Sequence, residues 1–529
     1  MSARRSSPPG PAAAQRLTLA CILIAIGALF APALMVTMPP LLDYPNHYAR
    51  LWLLAGGIDA PPLTSIYAVD WAFATTNIGI DLLAASVGKL IGIDRLGPLL
   101  VALSSALPVI GAVLLHRRLF GQWTWWQVGF AMAGWGMTVL AGFLNFQIGL
   151  GLALLAAVAD LQLAQSSRTA TVVFRVAASA ALLVVHPFAS LFYAVLAAAL
   201  ALGPEIRPLL SWRGAVAAAA RVLLAAAPIA APVLLFVLFA PNMPTQGEET
   251  AGVIWPKFSP AYAIEVLLGG VRTYDPLLDL PLLMVLALAI PLAGRLKRLQ
   301  AHGGLTLAAA GLALVSLAMP EQIGDTAWMN LRLPVMALLT FLVSVNPLAV
   351  TRREAAIAAC GLLVVTLSRT AGVGGVWVMR QPDIAALQRV LAHVPAGAAV
   401  LPVTTLPPDQ LLRRHVGRFT YGGPSHTHYA TLVIPWRQAF TPILFTTPGK
   451  QPVQPRPPWD EISGTEQGPL LPEELNGQLP PPAYAREWRA RFDYVLLLNA
   501  DMPHRTVAQP PADLELVGDE GFARLYRVP

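Results

Sequence analysis

Runs of about 20 consecutive apolar residues recur along this chain, the length an α-helix needs to cross the hydrocarbon core of a bilayer. Inside lipid a segment must satisfy every backbone N–H and C=O internally, so each such run has essentially one structure open to it. The runs fall at 17–37, 97–116, 127–144, 146–164, 171–185, 188–204, 215–240, 276–294, 303–320, 331–349 and 354–372, giving eleven expected helices. A soluble domain carries about 25% charged residues; here the figure is 12%. The net charge of +7 is carried by short Arg clusters between apolar runs, with no basic stripe, which argues against nucleic acid as a partner.

Those clusters set the topology instead. The first apolar run contains a signal-like "APA" at 31–33, but it continues to Met38, so an uncleaved spanning helix is expected there. The stretch 79–92, "GIDLLAASVGKLIG", is short for a span and holds Asp81 and Lys89. Ile80, Leu83, Val87, Leu90 and Ile91 recur on one side of it, as in an amphipathic helix lying in the membrane interface. With that helix interfacial and the N-terminus inside, the inner segments hold Arg4, Arg5, Arg16, Arg117, Arg118, Arg168, Arg175, Arg207, Arg213, Arg221, Arg295, Lys297, Arg298, Arg352 and Arg353. The outer segments, although longer, hold only Arg50, Lys89, Arg95, Lys257, Arg272, Arg332 and Arg369. Lys and Arg resist translocation, so this bias fixes orientation. Letting 79–92 span would put every later Arg cluster outside.

The expected organisation is a cytoplasmic tail at 1–16, a transmembrane domain at 17–372 with an outer loop at 38–96 carrying the interfacial helix, and an extracytoplasmic α/β domain at 373–529. In that last part "DIAALQRVLAHV" reads as a helix, and "FDYVLLLNA" reads as a buried strand. "LELVGDEGFARLYRV" reads as a hairpin. The Pro-rich stretch 404–490 is expected to drape over the membrane face or its helices. No internal repeat of the kind common in transporters is visible. Cys21 and Cys360 lie in separate apolar runs, without a CxxC motif, and read as inert buried thiols lacking a partner.

Several polar groups converge on the outer boundary. Asp43, Asn46, His47 and Arg50 follow the first span; Asn145 and Gln147 lie at the next outer turn; His186 lies at the one after. Glu321, Asp325 and Arg332 flank a later span. Ionisable groups at a membrane boundary are candidates for function, although outer turns also need polar residues for ordinary reasons. Asp43 can act as a general base toward an acceptor hydroxyl, can hold a divalent cation, or can simply cap the helix that Tyr44–Pro45 begins. His47, four residues on, would share its face. Arg332 offers a planar fork for a phosphate, or snorkels at a helix end. His426 and His428 form a His-x-His pair with no third zinc ligand at diagnostic spacing, which suits a polar loop.

The layout of a first helix, an outer loop opening on Asp, an interfacial helix, many further spans and an outer α/β domain resembles the GT-C superfamily of membrane glycosyltransferases. That superfamily includes the protein O-mannosyltransferases and the aminoarabinose transferases. The matching stretch is "DYPNHYAR", at Asp43, His47, Tyr48 and Ala49; Tyr44 stands where that motif often has a second acid, and Asp70 is a distant substitute. The resemblance implies a sugar moved from a polyprenyl-phosphate donor to an extracytoplasmic acceptor in the bacterial inner membrane. Asp43 and His47 would be catalytic, with Asn46, Arg50, Asn145, His186 and Arg332 binding substrate. The partners implied are the lipid-linked donor, membrane lipid and an acceptor of unassigned identity. No cofactor is assigned, and a divalent cation is compatible with Asp43. The competing expectations are a transporter or flippase and a non-catalytic envelope-assembly protein.

Overall fold

The structure is a computed structural model that describes residues 11–72, 74–239, 252–274, 279, 284, 288, 290–323, 326–349, 351–405, 417–420, 423–447, 450–502 and 510–529. Arg4, Arg5, Asp325 and most of the expected span 276–294 lie outside the described residues. Among the described residues six helices are long and apolar enough to cross a membrane: Gln15–Leu34, Ile93–Phe120, Leu144–Leu163, Arg168–Val185, Trp212–Phe239 and Arg352–Leu391. Pro187–Leu202, Gly303–Ala318 and Asn330–Ser344 are shorter apolar helices. Each coincides with an expected run.

The run 127–144 is different. It forms a 3-10 helix at Trp125–Gly134, two extended residues, and a short helix at Met137–Leu140. Glycines explain the departure. A Cβ at Gly136 would meet the Gly270 carbonyl oxygen at 2.6 Å, and one at Gly134 would meet Leu29 at 2.9 Å, so this backbone packs directly on its neighbours. Irregular backbone at membrane depth needs protein partners. Arg369 supplies them: its Nη2 donates to the Trp135 carbonyl at 2.8 Å and to the Val271 carbonyl, and it pairs with Asp279 at 3.3 Å. Arg369 was expected among the outer charges; it is instead 1% exposed within the Arg352–Met379 helix.

The two ends of the bundle differ in kind. At one end the strands Leu299–Ala301 and Val345–Pro347 pair, His116 Nε2 meets the Val345 carbonyl at 3.2 Å, and Trp126 Nε1 donates to the Leu342 carbonyl. At the other end the outer-loop residues meet the C-terminal part of the chain. The stretch 79–91 is helical with a π turn at Ala84–Gly88. Leu82, Leu83, Val87, Leu90 and Ile91 are exposed along it, whereas Ile80 faces protein. Asp81 turns inward to Arg50, with a contact of 2.6 Å between two fully buried side chains.

After Arg380 the last long helix runs on into Gln381–Leu391, so the C-terminal part grows from a continuous stem. Its four-stranded sheet has the order Glu515–Asp519, Ala523–Arg527, Tyr494–Leu498, Val400–Thr404; the last pair is parallel and the others antiparallel. The two fully buried strands, Tyr494–Leu498 and Val400–Thr404, read as nearly continuous apolar runs because both faces are covered. The stretch 404–490 returns to the stretch 38–96: Val453–Pro455 pairs antiparallel with Tyr67–Val69. Cys21 and Cys360 are both free thiols; Cys21 is buried, whereas Cys360, expected to be buried too, is exposed on its helix.

Candidate functional site

Asp43 is seated by backbone. Leu42 and Asp43 donate their N–H groups to the carbonyls of Leu140 and Ala141 at 3.2 and 3.0 Å. The seat ends at Gly142, whose φ of +83° favours glycine. A Cβ there would press on the backbone nitrogens of Tyr44 and Asp43 at 3.0 and 3.1 Å. Asp43 does precede the helix Tyr44–Leu54, but its side chain makes no capping hydrogen bond. The carboxylate turns into a cavity instead.

That cavity has a volume of about 740 Å³ and is walled by several separate parts of the chain. The stretch 42–47 gives Asp43 and His47; the turn at 143–146 gives Phe143, Asn145 and Phe146; the next turn gives His186 and Phe188; and Phe236 comes from the Trp212–Phe239 helix. Gln322, Trp328, Met329 and Arg332 form another wall, and the C-terminal part closes it with His428, Phe445, Lys450, Gln451 and Glu466. The lining is mostly apolar and aromatic with a few polar groups, the usual build of a ligand site.

Arg332 is buried but incompletely bonded. Its Nη1 donates to the Ala327 carbonyl at 2.7 Å, and its guanidinium lies 4.8 and 5.5 Å from the Phe143 and Phe188 ring centres. Its Nε has no protein acceptor. Asp43 and Glu466 are the carboxylates that act on it, through space. Lys450 is paired with Glu466 at 3.1 Å.

The expected site residues separate into two groups. Asp43, His47, Asn145, His186 and Arg332 all reach the cavity. Asn145 also holds its own wall: its amide oxygen accepts from Ile80 N, and its amide nitrogen donates to the Asn77 carbonyl. His186 Nδ1 caps Phe188 N at 3.1 Å. Burial, and then the charge of Arg332, pushes the His186 pKa well below the usual histidine range. Asn46 and Arg50 do not line the cavity. Asn46 is tied to the backbone of Ile443 and Phe445, and Arg50 is drawn to Asp81 behind the helix. Tyr44 is likewise turned away, packed beside Tyr48 and Gly97, and Asp70 is exposed elsewhere with its carboxylate on Ala72 N. Among the described residues no three His, Cys, Asp or Glu side chains gather as a metal ion would require.

The imidazole that reaches Asp43 is that of His428, with Nε2 at 3.5 Å from Oδ1. His47 is engaged on both sides: Arg50 donates to its Nδ1 at 3.2 Å, and it is hydrogen-bonded to the Gly142 backbone. Burial foremost, then the guanidinium of Arg50 and the neighbouring His428, hold the His47 pKa well below its ordinary value. His428, Lys450 and Glu466 were not singled out for the site by sequence. The only signal was the His-x-His spacing, and its two members face opposite ways: His426 is buried against Phe419, Tyr429 and Phe522, with Nε2 on Thr404 Oγ1.

No family model matches this chain, and no curated protein matches it. Among solved structures it is similar to ArnT from Cupriavidus metallidurans in the apo state, at 12% identity over 98% of each chain with a TM-score of 0.45. It is also similar to the same ArnT bound to undecaprenyl phosphate, at 12% identity over 97% of this chain and 98% of the other, with a TM-score of 0.49.

Proposed function

We propose that this chain is a membrane glycosyltransferase of the GT-C kind that moves a sugar from a polyprenyl-phosphate donor to an acceptor hydroxyl on the outer side of the bacterial inner membrane. The observation that carries this reading is that Asp43 and Arg332, from opposite ends of the spanning region's sequence, wall one largely aromatic cavity. The Arg bias supports placing that cavity outside, where nucleotide sugars are not supplied and a lipid carrier must present the sugar. The exposed apolar face from Leu82 to Ile91 supports an interfacial position for the 79–91 helix, level with a donor lying in the bilayer.

The chemistry follows from the two charges. Asp43 takes the proton of the acceptor hydroxyl as its oxygen bonds to the anomeric carbon. The bond from that carbon to the donor phosphate breaks, and its electron pair stays on the phosphate. The Arg332 guanidinium, with one nitrogen unengaged, is suited to meet the charge that builds there. Asn145 and His186 keep the wall behind them in shape, and His47 fixes the turn on which Asp43 rests.

The test is transfer of radiolabelled sugar from the lipid-extractable pool in membranes containing the full chain. Asp43→Asn should lower it by about 100-fold or more while leaving the amount of folded protein unchanged. Transfer by Asp43→Asn at the level of the unaltered chain would overturn the assignment.

A further inference from the structure

We infer that His428, brought in by the C-terminal part of the chain, is a positioning residue for Asp43, and that Asn46 selects the histidine tautomer that makes it one. The inference rests on the reading of Asp43 as the base. The chain of argument starts at Asn46, whose amide cannot rotate freely. Its Oδ1 accepts from Phe445 N at 2.8 Å, and its Nδ2 donates to the Ile443 carbonyl at 2.7 Å. A flipped amide would set N–H against N–H and oxygen against oxygen, which fixes the assignment.

The second hydrogen on Nδ2 then faces His428 Nδ1, at 3.3 Å. A nitrogen that receives a donor must carry a lone pair, so neutral His428 bears its proton on Nε2. Nε2 is the atom turned to Asp43 Oδ1, at 3.5 Å. The Phe445 ring, 4.8 Å from the imidazole centre and nearly perpendicular to it, holds the ring plane. Asn46 thus orients His428, whose Nε2 lies in polar contact with Asp43 Oδ1, at a distance longer than a hydrogen bond. An N–H placed there attracts one carboxylate oxygen and leaves the other for the acceptor hydroxyl.

Two consequences separate this arrangement from ordinary packing. The site is complete only when the 426–445 segment sits on the first outer loop, so the C-terminal part is a component of the catalytic centre. In addition, Asn46 and His428 act as one unit, because a wrong tautomer presents a lone pair to a carboxylate and repels it.

Two measurements on the full-length protein in nanodiscs decide the matter. In the first, ¹⁵N NMR of histidine-labelled protein reads the tautomer, with His428 assigned by the signals lost in His428→Gln. The expected result is a proton on Nε2 in the unaltered chain and its loss from that position in Asn46→Asp. A His428 protonated only on Nδ1 overturns the inference, whatever reaction the protein catalyses. The second is steady-state transfer. His428→Ala should lower kcat about 100-fold, as misplacement of a reacting group does, with the donor KM changed less than about twofold. His428→Gln, which keeps an N–H donor of similar reach, should recover about tenfold of that loss. Equal rates for the Ala and Gln variants, with only thermal stability lowered, would mean that His428 merely packs, and would overturn the inference. If Asp43→Asn transfers normally, the base assignment itself falls. If Asp43→Asn is inactive and His428→Ala is fully active, only the positioning role falls.

Discussion

Two buried arginines mark two regions built on opposite principles. Around Arg369 a counter-charge of the chain is in contact: Nη2 meets two backbone carbonyls and the carboxylate of Asp279, while Nε and Nη1 have no acceptor among the described residues, and Thr370 next to it takes the Trp135 indole N–H. Around Arg332 the protein stays open. One carbonyl and two aromatic faces hold the side chain, no ion pair to it forms among the described residues, and it looks into a cavity that also holds Asp43. A buried cation is costly unless something compensates it. In the first region a carboxylate of the chain touches the guanidinium; in the second Asp43 and Glu466 act on it only through space. Burial alone therefore does not separate the two arginines. What separates them is whether a counter-charge of the chain is in contact.

The comparison can be broken by substitution, and the largest effect should fall on the Arg369 region. Arg369→Leu removes the cation facing Asp279 and the donor to two carbonyls, and should cost about 3–5 kcal/mol of stability, seen as lost folded yield and a lowered thermal midpoint. Adding Asp279→Asn should recover part of it. Arg332→Gln should do the reverse, lowering transfer about 100-fold, or about 3 kcal/mol, with the thermal midpoint within a few degrees of the unaltered chain. A large drop in midpoint for Arg332→Gln would place both arginines in the structural class.

His426 sharpens the same contrast on the C-terminal side. Burial, then the charge of Arg418, pushes its pKa down to about 3. The unfolded chain therefore takes up a proton that the folded chain refuses, so stability is complete above about pH 6.5 and declines as pH falls toward 3. The loss at pH 5 should be about 2 kcal/mol, and His426→Gln should flatten the melting-point profile between pH 7 and 5. The smallest effect is expected at the seat of the carboxylate. Gly142→Ala adds a strained Cβ against Asp43 and should lower kcat about tenfold, with a stability change near 1 kcal/mol.

Much of the bundle was legible because its signal is local. A run of 20 apolar residues has one structure in lipid, so helix positions could be read without knowing their neighbours. The exception, 127–144, failed for a reason equally physical: its glycines let backbone pack on backbone, and Arg369, more than 200 positions away along the chain, satisfies the carbonyl that the broken helix frees. Asp43 was visible because a carboxylate just past a span is conspicuous. Its neighbour His428 was not, because nothing near either residue encodes their meeting. Asn46 and Arg50 show the converse: they share a helix with Asp43 but do not line its cavity, because helix rotation turns them toward the C-terminal part and toward Asp81.

The sequence by itself determined where this chain has apolar helices, how its Arg clusters are distributed between them, and that a carboxylate follows the first of those helices. Those properties depend on composition within a single segment, and a segment carries them wherever it goes. Only the tertiary structure decided that Asp43, Arg332 and His428 share one cavity, and that His428 lies 3.5 Å from the Asp43 carboxylate while His47 is held by Arg50. Such relations depend on how distant segments pack, and the packing energy that fixes them is distributed over a core extending from Cys21 to Leu525.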